Sequence, residues 1–113
     1  MEERDLKIKA ELINLAKQKK TVGYQELCNK CKLPLEVKND SDLKILSDSL
    51  TRISKSEHEE KRPLLSALVF DSNKGMPGNG FFTMAKELKK FKGSELDFFI
   101  DELKAVYSEW QKM

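Results

Sequence analysis

Residues 62–82 read RPLLSALVFDSNKGMPGNGFF, and no other stretch of the chain restricts the fold as much. The apolar run from Ser66 to Asp71 holds Val69 and Phe70, is short, and is bounded by turn formers, which predicts a buried strand rather than a helix. Ser72 to Gly75 then has the composition of a hairpin or wing. Further on, Gly78 and Gly80 flank Asn79 and give the backbone the freedom in φ that a tight approach to a following helix requires, with Phe81 and Phe82 as anchors. A glycine-rich turn between a strand and a helix is also where anions bind, so the backbone N–H groups of Gly78, Asn79 and Gly80 form a candidate anion-binding turn. The turn has neither GxxxxGK[ST] nor GxGxxG spacing, and no acidic ribose partner follows a second strand. The architectural alternative is a connection in which Pro77 and the glycines let the two phenylalanines reach the core.

The rest of the chain reads as helical. Met1 to Lys20 carries two apolar stripes, Leu6, Ala10, Ile13 and Ala16 on one side and Ile8, Leu12 and Leu15 on another, as expected of a helix covered by the core and by a second subunit. Thr21 and Val22 form an extended step, and a second helix starts at Gly23, with Glu26 placed as in a capping box, and ends at Pro34. A third runs from Ser41 to about Glu60, with Leu43, Leu46, Leu50 and Ile53 inward and Ile45 on the far side. A fourth carries Met84, Ala85 and Leu88. Gly93 breaks the chain before a fifth, which begins at Ser94 with Asp97 as its capping partner. Its predicted inward stripe is Leu96, Phe99, Leu103, Val106 and Trp110, with Phe98 and Ala105 opposite. The expected fold is therefore mostly α with a small β element, and 113 residues suit a single domain with one core.

Charged residues make up 35% of the chain, yet its apolar residues recur at regular intervals, the pattern of a folded chain rather than a disordered one. No apolar run approaches the roughly 20 residues that span a bilayer. The N-terminal MEERDLKIKAEL is acidic where a secretory signal is basic, which predicts a cytoplasmic protein without a membrane partner. Cys28 and Cys31 have CxxC spacing, but a zinc site needs about four ligands and His58 is the one other soft candidate. The pair also lies inside the second predicted helix instead of at an N-terminus that would lower a thiol pKa, so these are expected to be structural thiols. His58 sits in EHEEKR with no nucleophile to serve, and Glu59, Glu60, Asp101 and Glu102 read as solvated surface because neighbours on a helix diverge by about 100°. No metal site, cofactor or catalytic residue is expected, and an enzyme ranks last among the readings.

The order helix, short strand, helix, helix, strand, wing over residues 1–79 resembles a winged helix-turn-helix, with residues 80–113 as an added C-terminal helical pair. The resemblance implies a winged-helix-like core whose third helix is the recognition helix. More narrowly, TVGYQEL from Thr21 to Leu27 resembles the step that opens the DNA-binding part of alkylguanine alkyltransferases and alkyltransferase-like proteins. RPLLSALVFDSNKG is placed like their PCHRVV strand. Leu64 and Leu65 stand where that family keeps its cysteine and histidine, and no base-flipping arginine opens the third helix, so only architecture carries over. The segment from PLLSALV to GMPGNGFF also resembles parts of uncharacterised small prokaryotic proteins.

Two functions follow as expectations. The first is a non-enzymatic nucleic-acid-binding or regulatory protein in which Lys44, Thr51, Arg52 and Lys55 face double-stranded DNA and Lys74 meets a phosphate. A formal net charge of +2 is too even to decide this, so the distribution of charge must. The second is a protein-interaction module of a phage-related or defence-related system that presents Ile45, Phe98 and Ala105 to a protein partner. A homodimer through the first or last helix fits either.

Overall fold

A computed structural model describes residues 1–112. Five helices and a two-stranded sheet follow in the order α1 (Glu3–Lys17), β1 (Val22–Gly23), α2 (Tyr24–Lys30), α3 (Asp40–Glu59), a 3₁₀ turn (Leu65–Leu68), β2 (Val69–Phe70), α4 (Asn79–Glu87) and α5 (Glu95–Gln111). The protein is mostly α with a small β element, as the periodicity predicts. Side-chain caps fix two helix starts: Asn39 Oδ1 accepts from the Ser41 and Asp42 N–H groups, and Ser94 Oγ accepts from the Asp97 N–H at 3.1 Å. The two strands run parallel, Val22 opposite Val69 and Gly23 opposite Phe70, and an antiparallel bridge from Asp71 to Met76 closes the short hairpin after β2.

The stretch expected to be a strand from Ser66 to Asp71 is shorter as one. Leu65–Leu68 coils into the 3₁₀ turn and only Val69–Phe70 pair. The reason is burial on every side. Residues 64–69 are all buried, and the turn packs against α1, α3 and α5 at once. A strand would expose a row of N–H and C=O groups to these helices with nothing to pair them. The turn satisfies the Ala67 N–H on Leu64 O internally, and side chains reach in for others. Glu102 of α5 accepts from the Leu64 N–H at 2.8 Å, and Ser54 of α3 accepts from the Ser66 N–H at 3.0 Å. Glu102, expected on the solvated surface, is thus a buried acceptor, and Lys90 balances its charge at 2.8 Å.

The α1 face that packs inward is Asp5, Ile8, Leu12, Leu15 and Ala16, while Leu6 is 53% exposed. Four helices end in one way. Lys19, Lys32, Lys61 and Lys89 each adopt a left-handed φ of 56–61° just beyond α1, α2, α3 and α4. In each case the next N–H reaches back five residues: Lys20 to Leu15, Leu33 to Cys28, Arg62 to Glu57, and Lys90 to Ala85. This is the Schellman closure, in which glycine is the favoured residue. The second helix therefore stops at Lys30, before the expected end at Pro34. A lysine in this conformation carries a steric cost that glycine does not. Lys61→Gly and Lys89→Gly are each expected to raise the unfolding free energy by about 0.5–1 kcal/mol. Urea denaturation would show this as a higher midpoint at constant slope; an unchanged or lower midpoint contradicts it.

Candidate functional site

The basic side chains singled out from the sequence are distributed over α3 and the hairpin, and each has a partner inside the chain. Lys44 pairs with Asp48 at 3.2 Å and Lys55 with Glu87 of α4 at 3.3 Å. Arg52 makes two hydrogen bonds to Asp5 of α1, at 2.7 and 3.1 Å, and a third to Ser49. Those bonds hold the Asp5 carboxyl below its ordinary range against the opposing effect of burial. Thr51 is half-buried in a crevice shared with Gly80, Phe81 and Met84, so that side of α3 is turned toward α4. Lys74 lies apart from this group and donates to Asn79 Oδ1 at 2.7 Å. The outer line of α3 reads Lys44, Asp48, Arg52, alternating in sign rather than uniformly basic.

One N–H of the glycine-rich turn is committed internally as well. The Gly78 N–H donates to the Tyr24 hydroxyl at 3.1 Å, and a Cβ added at Gly78 would stand 2.6 Å from that oxygen. A side chain there would have to push the tyrosine hydroxyl aside. Asn79 and Gly80 open α4 at the surface, and Phe81 and Phe82 run inward as anticipated.

The last helix is where the packing departs most from the sequence reading. Its inward line is Phe98, Glu102, Val106 and Trp110, spaced every four residues. Phe98, expected on the outer side, is buried in an aromatic cluster, with ring centroids 5.9 Å from Phe81 and 5.2 Å from Phe91. It is therefore not available to a partner. Ile45 is half-buried against the core, while Ala105 is exposed at the edge of an open basin with His58, Lys61 and Arg62. Of the predicted inward stripe, Val106 and Trp110 are buried and Phe99 and Leu103 pack half-buried against the core, but Leu96 does not. Leu96 is 54% exposed and Ile100 36% exposed, with Leu103 and Tyr107 half-buried along the same edge.

No family model matches this chain, and no curated protein or solved structure is significantly similar to it. The site must be read from its own geometry.

Leu96, Ile100, Leu103 and Tyr107 are spaced four, three and four residues apart, which places them on one seam of a helix. At the C-terminal end of the seam, Tyr107 borders a pocket of about 300 Å³ with Lys19, Lys104, Ser108 and Gln111. Gln111 fixes this end by donating to the Ala16 and Lys17 carbonyls, at 3.1 and 2.8 Å, which also satisfies the last turn of α1. Two helical spacings compete in the sequence. The predicted stripe reaches Val106 and Trp110 from Leu96, Phe99 and Leu103, whereas the observed one reaches them from Phe98 and Glu102. The signal that separates them is the need of Leu64 for an acceptor, which lies 38 residues away.

Larger concavities carry less. A groove of about 440 Å³ runs between Tyr24, Glu26, Val37 and the hairpin residues Asp71 to Asn73. Among the described residues no group of three or more histidine, cysteine or acidic side chains could hold a metal ion. Burial raises both thiols of the CxxC pair, Cys31 to about 11, so neither is a thiolate near neutral pH. No described helix is long and apolar enough to cross a membrane.

Glu57 is a fully buried charge. It is 0% exposed and held by Arg62 at 2.8 Å and Lys9 at 3.2 Å, which links α3 to α1 and to the entry of the 3₁₀ turn. Burial acts to raise its pKa, but the hydrogen bonds and charges of Arg62 and Lys9 outweigh it and hold the carboxyl below its ordinary 4.5. A depressed carboxylate stabilises the fold fully above its unfolded pKa and loses that contribution as pH falls through its folded pKa. Glu57→Gln is thus expected to cost about 3 kcal/mol at pH 7. The gap from wild type should narrow as pH drops below 4.5; chemical denaturation across pH 7 to 3 checks this, and a pH-independent gap contradicts it.

Proposed function

We propose that this protein is a non-enzymatic protein-interaction module whose docking surface is the outer edge of α5. The observation that carries the reading is the seam of Leu96, Ile100, Leu103 and Tyr107, apolar over three turns, in which Leu96 and Ile100 are exposed beside Leu103 and Tyr107 half-buried against the core. Isolated exposed leucines are ordinary, whereas apolar residues in register along one helix edge form a surface that gains from being covered. The winged-helix-like layout then serves as the scaffold that holds this helix.

Nucleic-acid binding is less well supported by the same geometry. A phosphate-binding face needs cations free to replace counterions. On α3 those cations are engaged by Asp48, Asp5 and Glu87. Breaking such pairs would have to precede phosphate contact, and the carboxylates would remain beside the duplex.

Placing a photo-crosslinking amino acid at position 100 or at the exposed Glu59 and irradiating the full chain in cells tests the proposal. Discrete higher-mass adducts are expected from position 100 and none from position 59. Absence of adducts at 100, or an equal pattern from both positions, contradicts an α5 docking surface.

A further inference from the structure

We infer that the partner for the α5 edge is a second copy of this chain, docked antiparallel about a twofold axis that passes between Ile100 and Leu103; this inference rests on the docking surface proposed above. The argument is one of self-complementarity, which a twofold interface demands because the same patch must serve on both sides.

An antiparallel pairing of the seam sets Ile100 against the partner's Leu103 and Leu96 against the partner's Tyr107. The spacing of four, three and four is symmetric about its centre, so the register closes on itself with no residue left over. The open depression beside Tyr107, lined by Lys19, Lys104, Ser108 and Gln111, is where this register brings the partner's Leu96, the most exposed member of the seam at 54%.

Charge agrees too. Asp97 and Lys104 stand seven residues apart and therefore project from the same flank of α5, Asp97 one residue beyond Leu96 and Lys104 one residue beyond Leu103. The first turn of the helix is acidic, with Glu95 and Asp97, and the end with Tyr107 is rimmed by Lys19 and Lys104. The ion pairs within the chain fall on other residues, so these four charges are unpaired among the described residues. Turning one copy over places each Asp97 near the partner's Lys104 and each acidic first turn near the partner's Lys19, so both pairs form twice. A parallel arrangement would instead set acid against acid and base against base. One helix edge buries less than the ~800 Å² per partner of a standard interface, so the dimer should be weak, with a Kd on the order of 10 µM.

Sedimentation equilibrium of the purified full chain across that range tests this, with circular dichroism to confirm that each variant folds. The wild type is expected to be a reversible dimer, and Ile100→Lys a folded monomer. Asp97→Lys or Lys104→Asp alone should weaken association about tenfold, because each change occurs twice and sets like charges together. The double variant Asp97→Lys/Lys104→Asp should recover most of the loss, since the pairs are restored with their signs exchanged. A wild type that stays monomeric at ~1 mM, a dimer unaffected by Ile100→Lys, or a double variant no better than the singles overturns the inference. A monomeric chain whose position-100 adducts contain a different protein would defeat self-association and leave the docking surface standing.

Discussion

The structure depends on a segment that is not α-helical, a 3₁₀ turn and the start of β2, running through the middle of a helical core. Residues 64–69 touch three helices and are shielded from water, so every backbone polar group in them that lacks a partner carries a desolvation cost of about 1–3 kcal/mol. Helices cannot supply backbone partners sideways, so side chains must. Glu102 and Ser54 are therefore polar residues at positions a packing argument would reserve for leucine. Each brings a second requirement: the glutamate needs Lys90, and the Ser54 hydroxyl shares a 2.6 Å hydrogen bond with that of Ser66.

That constraint orients the surface. Because Glu102 must point at Leu64, α5 is locked in rotation, and the aromatic cluster of Phe81, Phe91 and Phe98 and the ring of Trp110 fall into line with it. The same rotation brings Leu96 and Ile100 to the outside. The exposed seam is a consequence of where one carboxylate has to go. The buried pairs at Asp5 and Glu57 act similarly on the other helices, because they draw Arg52, Arg62 and Lys9 toward the protein and reduce the positive charge offered to solvent.

Much of the fold was legible because helix signals are local. The cap at Ser94, the stripe of Leu46, Leu50 and Ile53, the hairpin after Phe70 and the inward course of Phe81 and Phe82 all lie where short-range patterns place them. What could not be read was set by distant partners. Nothing near Glu102 announces that Leu64 needs it, and nothing near Arg52 announces Asp5, 47 residues away. Lysines at four left-handed helix ends also leave no local mark, since glycine is the usual signal there. The candidate site suffered most, because choosing between two equally periodic stripes on α5 required knowing which polar residue was to be buried.

Native-state hydrogen exchange of the Leu64 and Ser66 amides tests this dependence most directly. If the buried segment is what the helices are organised around, both amides should exchange only through global unfolding, with protection equal to the unfolding free energy and to that of the most protected amides of α3. Replacing Glu102 with alanine should then lower the stability of the whole protein rather than of α5 alone. Exchange of Leu64 and Ser66 through a local opening well below the global free energy, with the helices still protected, would contradict the account.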